Sequence, residues 1–283
     1  MLFKRRGTHS GTAMPAALFL ALWVRLWAQP TPLQGVAPDR PDVHTIIRRS
    51  VEANQRDWDA APEYDYTDRS WEKSGGTRAY AVTMLEGSPY SRLVAVNGRQ
   101  LSPDEQKTEE EKFEQATAGR RSESPDARAA RVGKYERGRA RDHLLMEQLS
   151  VAMDFNLLGE ESVGGYQCYV LGANPRAGYR PPNSESEVLT GMRGKLWIDE
   201  VTYQWAKVQA IVVHPVSIGG ILARVERGTR FELEKKPAGG GVWFKSHFSM
   251  SARARIVYLF GYRNREEDWY ANYRIHQTMG SHK

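Results

Sequence analysis

The sequence predicts an α+β protein that is mainly β, with one antiparallel sheet of about ten strands covered by helices. Segments with alternating apolar and polar residues recur along most of the chain from residue 63 onward, and short turns rich in Gly, Pro, Asn and Asp separate them. Helical spacing is confined to residues 42–59 and to a charged insertion at residues 103–149. Strands and helices do not alternate one by one, so we expect consecutive strands to pair antiparallel.

The first 28 residues have the pattern of a secretory signal. A basic start precedes an apolar run that is too short to cross the ~30 Å of a hydrocarbon core, and Ala28 is a small residue at a suitable cleavage position. Arg25 interrupts the segment near its end, which leaves an uncleaved amphipathic anchor as an alternative. The pattern predicts export to the periplasm.

The remaining chain is expected to form one domain. Residues 29–41 are rich in Pro and predict a disordered leader, residues 42–276 the folded domain, and residues 277–283 a tail. The single cysteine, Cys168, can form neither an internal disulfide nor a cysteine-rich metal site. The core alone must therefore hold the fold.

The helical segments have recognisable starts. Asp42 is a suitable cap for the first helix, and Ser102 with Pro103 opens the insertion. The insertion should form two helices, residues 105–119 and 125–149, that are charged on most sides. Its strong apolar signal lies only at the end of the second helix, so we expect a cover that touches the sheet intermittently.

The strands follow from the period of two and from the turn residues between them. The predicted strands are residues 63–69, 77–86, 91–96, 154–160, 165–173, 195–199, 205–212, 222–235, 242–251, 255–262 and 269–275.

The hairpin at residues 194–209 is the most informative stretch. Its two strands flank a short acidic turn, and it follows the segment at residues 164–171. The sequence of this hairpin resembles that of the lipoprotein-localisation-factor (LolA-like) superfamily and its outer-membrane lipoprotein-sorting relatives. The resemblance extends over residues 58–273 through the order of the predicted elements. The resemblance implies a strongly curved, unclosed half-barrel whose concave face, under a helical cover, accepts acyl chains or a partner's hydrophobic segment. The long basic insertion departs from the carrier itself.

One apolar strand face is the candidate ligand-binding site, although ordinary core has the same pattern. Its residues are Leu196, Ile198, Ala206, Val208, Ala210, Val212, Phe231, Leu233, Phe244, Phe248 and Met250. Trp197, Trp205 and Trp243 should lie on the opposite face, where they either stack on neighbouring side chains or form a docking patch.

The sequence offers no catalytic or metal-binding motif. His44, His143, His214 and His247 lack metal-ligand spacing, and neither HExxH nor G-x-S-x-G occurs. We therefore expect no enzymatic activity and no cofactor. The formal net charge is +6, and part of the basic excess lies at residues 120–141, which could contact a membrane surface. Without a nucleic-acid-binding motif and with an export signal, nucleic acid is not an expected partner.

The expected function is a monomeric periplasmic protein that binds a lipid, an acyl chain or the apolar segment of an envelope protein. Two alternatives stay open. One is an envelope-sensing or protein-interaction module of the same fold, and the other is an exported hydrolase.

Overall fold

The computed structural model describes residues 40–71, 76–218, 223–256 and 260–276. The predicted signal, most of the leader and the tail lie outside these residues. Pro41–Lys283 forms one compact unit. No helix among the described residues is long and apolar enough to cross a membrane.

Three α-helices and thirteen strands make up the described fold, with short 3-10 helices at Ala61–Glu63 and Glu185–Gly191. The helices are α1 (Val43–Ala60), α2 (Pro103–Arg121) and α3 (Pro125–Ala152). The strands are β1 (Tyr64–Trp71), β2 (Thr77–Leu85), β3 (Ser88–Val96), β4 (Arg99–Gln100), β5 (Met153–Val163), β6 (Tyr166–Pro175), β7 (Met192–Asp199), β8 (Trp205–Val212), β9 (Val216–Ile218), β10 (Ala223–Val225), β11 (Arg230–Gly239), β12 (Val242–Ile256) and β13 (Phe260–Ile275).

The strands form one antiparallel sheet in the order β4-β3-β2-β1-β13-β12-β11-β8-β7-β6-β5, with β9 and β10 attached beside β12. The last strand, β13, pairs with the first, β1, in the interior of this order. Within the described residues β4 and β5 remain unpaired edges, and the sheet does not close. The predicted α+β class, an unclosed half-barrel with a helical cover, is confirmed.

The helix starts follow the predicted capping. The Asp42 carboxylate accepts a hydrogen bond from the backbone N–H of Thr45 at 2.9 Å. Ser102 and Glu105 form a reciprocal capping box at the start of α2, which satisfies two backbone donors that a helix start leaves unpaired. The hydroxyl of Ser124 caps α3 by accepting a hydrogen bond from the backbone N–H of Ala127 at 3.3 Å.

Several strand boundaries differ from the prediction. Predicted strand 222–235 is divided into β10 and β11, because Gly228 takes a φ of 88° in the intervening turn. Predicted strand 242–251 is part of the longer β12, whereas predicted strand 255–262 covers the end of β12, the start of β13 and residues 257–259, which lie outside the described residues. Asn97 and Gly98 have φ angles of 52° and 74°, the two left-handed positions of a tight hairpin turn, which adds β4.

The two faces of the sheet carry different clusters. We call the face covered by α1 and the C-terminal end of α3 the inner face; its cluster includes Ile46, Leu171 and Leu196. The other face, the outer face, carries a smaller cluster around Cys168 and Trp197. The inner face is the one on which the candidate site was predicted.

Candidate functional site

One half of the inner face, on β5 to β8, is filled by helices. Leu196, Ile198 and Val212 are buried and belong to one cluster with α1 and α3. The helix side chains packed there are Val43, Ile46, Ile47, Leu145, Met146 and Leu149. Val208, Ala210 and Phe231 are partly buried at the border of this cluster. The C-terminal end of α3 therefore provides the anchor that its sequence predicts.

A β-bulge moves two residues to the face opposite the predicted one. The register shifts between Trp197 and Ile198, so that Ile198 pairs with Trp205. As a result Trp205 joins the inner cluster and Ala206 joins the outer one. The assignment of Ala206 to the inner face, and of Trp205 to the outer face, was wrong.

Trp197 and Trp243 share the outer cluster, as predicted, but both are buried. The indole N–H of Trp197 donates to Glu161 at 2.8 Å, and Trp243 packs edge-on against Tyr166. These tryptophans therefore do not form an exposed docking patch. Phe244 packs against Tyr64 in a third cluster, apart from the inner cluster.

The second half of the inner face, on β11, β12, β13 and β1, is less tightly filled. Cross-strand pairing places Leu233 beside Val208 and Phe248, and Phe231 beside Met250. Leu233, Phe248 and Met250 are only partly buried, and they lie outside the three clusters of buried side chains. An apolar strip thus continues beyond the packed half.

Carboxylates and tyrosines flank this strip. Asp268 pairs with Phe248 across the strands, and Glu266 pairs with Met250. Burial and the nearby Asp268 raise the pKa of Asp68 to about 6. Burial is also the main cause that raises the pKa of Glu266 and, to about 12, that of Tyr66. A low-dielectric environment penalises the charged form of each group.

The middle of α3 lies over this region. Tyr135 is close enough to contribute to the raised pKa of Tyr66 on the sheet. Trp58 of α1 stacks on His143 of α3 with ring centroids 4.5 Å apart, and the Arg139 guanidinium lies 4.3 Å from the Trp58 ring. The contact between the two helices is therefore an aromatic and cationic stack here rather than an aliphatic seam.

A buried polar network fixes the end of α1 and was missed by the sequence analysis. Lys235 and Asp57 form an ion pair, with both side chains almost fully buried. The Asp57 carboxylate also accepts from Gln204 Nε2 at 2.8 Å and from the backbone N–H of Trp243 at 2.9 Å. Lys235 donates to Asn54 at 2.9 Å, and burial lowers the pKa of Lys235. No sequence pattern could indicate this polar network, because its members lie up to 186 positions apart.

A cleft of about 730 Å³ lies between α2 and the outer face, and it contains a Thr–His–Asp group. Thr83 donates to Asp65 at 2.5 Å, and the same carboxylate oxygen lies 3.0 Å from Nδ1 of His276. That nitrogen also lies 3.2 Å from the Thr83 hydroxyl. A hydrolytic triad uses the two imidazole nitrogens for different partners, whereas one nitrogen faces both groups here. His276 was not among the histidines considered as candidates in the sequence, and only the fold brings it to Thr83.

Comparison with known proteins gives structural likeness only. No family model matches the chain, and no curated protein is similar to it at a significant level. An outer membrane lipoprotein-sorting protein domain from Vibrio parahaemolyticus matches with a TM-score of 0.29 and 12% identity, over 83% of this chain and 95% of that one. A LolA superfamily protein from Nitrosomonas europaea matches with a TM-score of 0.30 and 10% identity, over 82% and 93%.

A third solved structure, a DUF1329 family protein from Desulfovibrio piger, matches with a TM-score of 0.29 and 13% identity, over 84% of this chain and 95% of that one. All three TM-scores lie below 0.5, so these overlaps assign no ligand or partner to the chain. The superfamily that the sequence resembles, LolA-like, is thus found among the matched structures.

Proposed function

We propose that this chain is an exported, non-enzymatic binding protein that holds a lipid acyl chain against the less filled half of the inner face, beneath α3. The observation that carries the proposal is the apolar strip of Leu233, Phe248 and Met250. It continues the packed face while staying outside every buried cluster of the described residues. The periplasm is the compartment that the N-terminal pattern predicts.

The shape of the cover supports this occupant. Residues 125–130 of α3 are exposed, and α2 has no buried residue. The first half of α3, which buries so little apolar surface, can separate from the sheet at low cost, because α2 beside it adds no buried residue. An acyl chain gains most of its binding free energy from burying methylene groups, ~0.8 kcal/mol each, and the strip offers the surface for it.

We do not propose a preformed cavity in the packed half of the inner face. Leu196, Ile198 and Val212 already contact helices, so a ligand could reach them only by displacing α1 or the end of α3. The proposed contacts are therefore Phe231, Leu233, Phe248 and Met250, with Val208 and Ala210 at the border. An apolar peptide segment, the other occupant that the resemblance implies, is an outcome of the test below.

Photocrosslinking from two adjacent positions tests the proposal. Phe248 faces the strip, whereas Ser249 pairs with Glu232 and points to the outer face. We expect a benzophenone amino acid at position 248 to crosslink a fatty-acyl probe, and the same group at position 249 not to do so. Native mass spectrometry of the purified protein identifies any retained occupant. Equal crosslinking at the two positions, or a peptide as the retained occupant, would overturn the acyl-chain proposal.

A further inference from the structure

We propose that the outer face carries a docking site for an acidic helical segment of a partner protein, formed by Arg193, Arg230 and Arg265. The three side chains are exposed and lie on three different strands, β7, β11 and β13. They line a groove of about 750 Å³ that crosses the sheet on the face away from α1. This surface is separate from the acyl-chain site.

Strand register puts the three arginines in one row. Arg193 and Arg230 both pair with Ile211, which lies between them on β8. Arg230 and Arg265 both pair with Ser251, which lies between them on β12. Residues paired directly across antiparallel strands point to the same face. The row is therefore Arg193, Ile211, Arg230, Ser251 and Arg265.

The arginine row stays cationic, because the neighbouring carboxylates that the structure describes do not pair with Arg193 or Arg230. In the next row, Glu232 accepts from Lys207 at 2.8 Å and from Gln209 at 2.7 Å, so these two donors, and not the arginines of the row, hold its carboxylate. Arg265 bridges Glu267 at 2.8 Å, with 73% of the arginine side chain exposed. Among the described residues, Arg193 and Arg230 form no ion pair. Their guanidinium groups are well suited to bidentate contacts with carboxylates.

The spacing of the row selects a helical partner. Strands lie ~4.8 Å apart, so arginines on alternate strands are about 10 Å apart. An extended peptide repeats side chains on one face every ~6.7 Å, which does not match. An α-helix places residues i and i+7 on one face about 10.5 Å apart. Carboxylates seven residues apart on a helix would therefore meet successive arginines, with Ile211 giving an apolar contact between them.

A flat anionic membrane fits this surface less well. The carboxylates of Glu232 and Glu267 lie in the adjacent row and would meet the same bilayer plane as the arginines. Like charges at such short range cost binding free energy. A single helix can align with the arginine row alone, and this favours a discrete polypeptide.

Peptide binding to the intact chain tests the site. The probe is a fluorescent, alanine-based helical peptide with three glutamates spaced seven residues apart, and the control peptide has the same composition with the glutamates clustered. We expect the spaced peptide to bind at least about tenfold more tightly, with an affinity that falls as salt rises. The double variant Arg193→Glu, Arg230→Glu should abolish this preference.

A matched double variant, Arg56→Glu with Lys236→Glu, changes the net charge equally at exposed positions outside the groove. It should keep the preference for the spaced peptide. If the arginine reversal lowers the melting temperature, Arg193→Gln with Arg230→Gln replaces it, with a weaker salt dependence as the expected result. Equal affinity for both peptides, or equal loss in both double variants, would overturn the site. So would phosphatidylglycerol vesicles that bind through these arginines while the peptide does not.

Discussion

Two parts of the helical cover are attached to the same sheet by different forces. α1 and the C-terminal end of α3 bury apolar side chains such as Ile46, Leu145 and Leu149 against β5 to β8. α2 and the first half of α3 reach the other end of the sheet mainly through arginines. The first attachment is core, and the second is a polar clasp.

Arg120 and Arg131 form most of this clasp at the turn between β2 and β3. Arg120 donates to the backbone carbonyls of Leu85 at 2.9 Å and Ser88 at 2.8 Å. Arg131 donates to the Ser88 hydroxyl at 2.7 Å and bridges Glu123 at 2.7 Å. The clasp thus fixes where the helices lie without burying an apolar seam.

The difference between the two attachments predicts which one opens. Apolar burial contributes ~25 cal/mol per Å² and is lost only when the cluster comes apart. Partly exposed ion pairs contribute ~1 kcal/mol or less, because water replaces them readily. We therefore expect the clasp to open locally while the β5 to β8 half stays folded.

Truncating a side chain in the packed half of the inner face should cause the largest loss in the free energy of unfolding. Leu171 is fully buried in the inner cluster, whereas Leu158 on the neighbouring strand is 51% exposed. Leu171→Ala should lower the free energy of unfolding by about 4 kcal/mol through lost contacts and a residual cavity. Leu158→Ala should change it by less than about 0.5 kcal/mol. Urea unfolding measures both, and equal losses would contradict the assignment of the packed half.

Breaking the buried ion pair should cause the second largest loss in the free energy of unfolding. Asp57→Ala leaves the Lys235 ammonium buried with Asn54 as its remaining partner, and should cost about 3 kcal/mol. The control is Asp59→Ala on the same helix, where the carboxylate is exposed and accepts from Gln55 at 3.0 Å. Thermal melts compare the two. A cost for Asp57→Ala as small as that of the control would show that the network does not hold α1.

Asp68→Asn should be stabilising at neutral pH. The pKa of Asp68 is raised from 3.8 to about 6 in the fold, so the folded state favours the protonated form and loses stability as pH rises through that range. Because the group is partly exposed, solvent screening limits the gain in the variant to roughly 1 kcal/mol at pH 7. The gain should disappear below about pH 4. A pH-independent difference between the variant and the wild type would refute the raised pKa.

Arg131→Ala should have the smallest global effect. It removes the contacts to Ser88 and Glu123 but no apolar burial, so the free energy of unfolding should fall by about 1 kcal/mol or less. Amide exchange in α2 and the first half of α3 should nevertheless accelerate. Arg137→Ala, an exposed position on the same helix, is the control and should leave exchange unchanged. A loss of several kcal/mol would mean that the clasp belongs to the core.

Local patterns were sufficient to predict the main elements. Asp42 and Ser102 start their helices as expected, and Leu145 and Leu149 anchor α3, because capping and helical periodicity depend on near neighbours. The two faces of β7 also follow from alternation. This reasoning failed after Trp197, since a bulge depends on how two strands pair and not on either strand alone.

The polar groups could not be predicted, because they assemble across the sheet. Asp57 and Lys235 are 178 positions apart, and Thr83 and His276 are 193 apart. The arginine row on the outer face likewise depends on five strands in register. Alternation within one strand gave no sign that Arg193, Arg230 and Arg265 would align, and Arg193 and Arg265 lay outside the predicted strands.

Hydrogen exchange measured by mass spectrometry tests most directly whether the clasp opens while the packed half stays closed. Without ligand, residues 105–139 should exchange faster than residues 192–212, because they bury few apolar contacts. A bound fatty-acyl probe should slow exchange selectively in residues 125–139 of α3, the part of the cover that lies over the strip, since only the closed state contacts it. Uniformly slow exchange in both segments without ligand would contradict this account and show that the whole helical cover is permanent core.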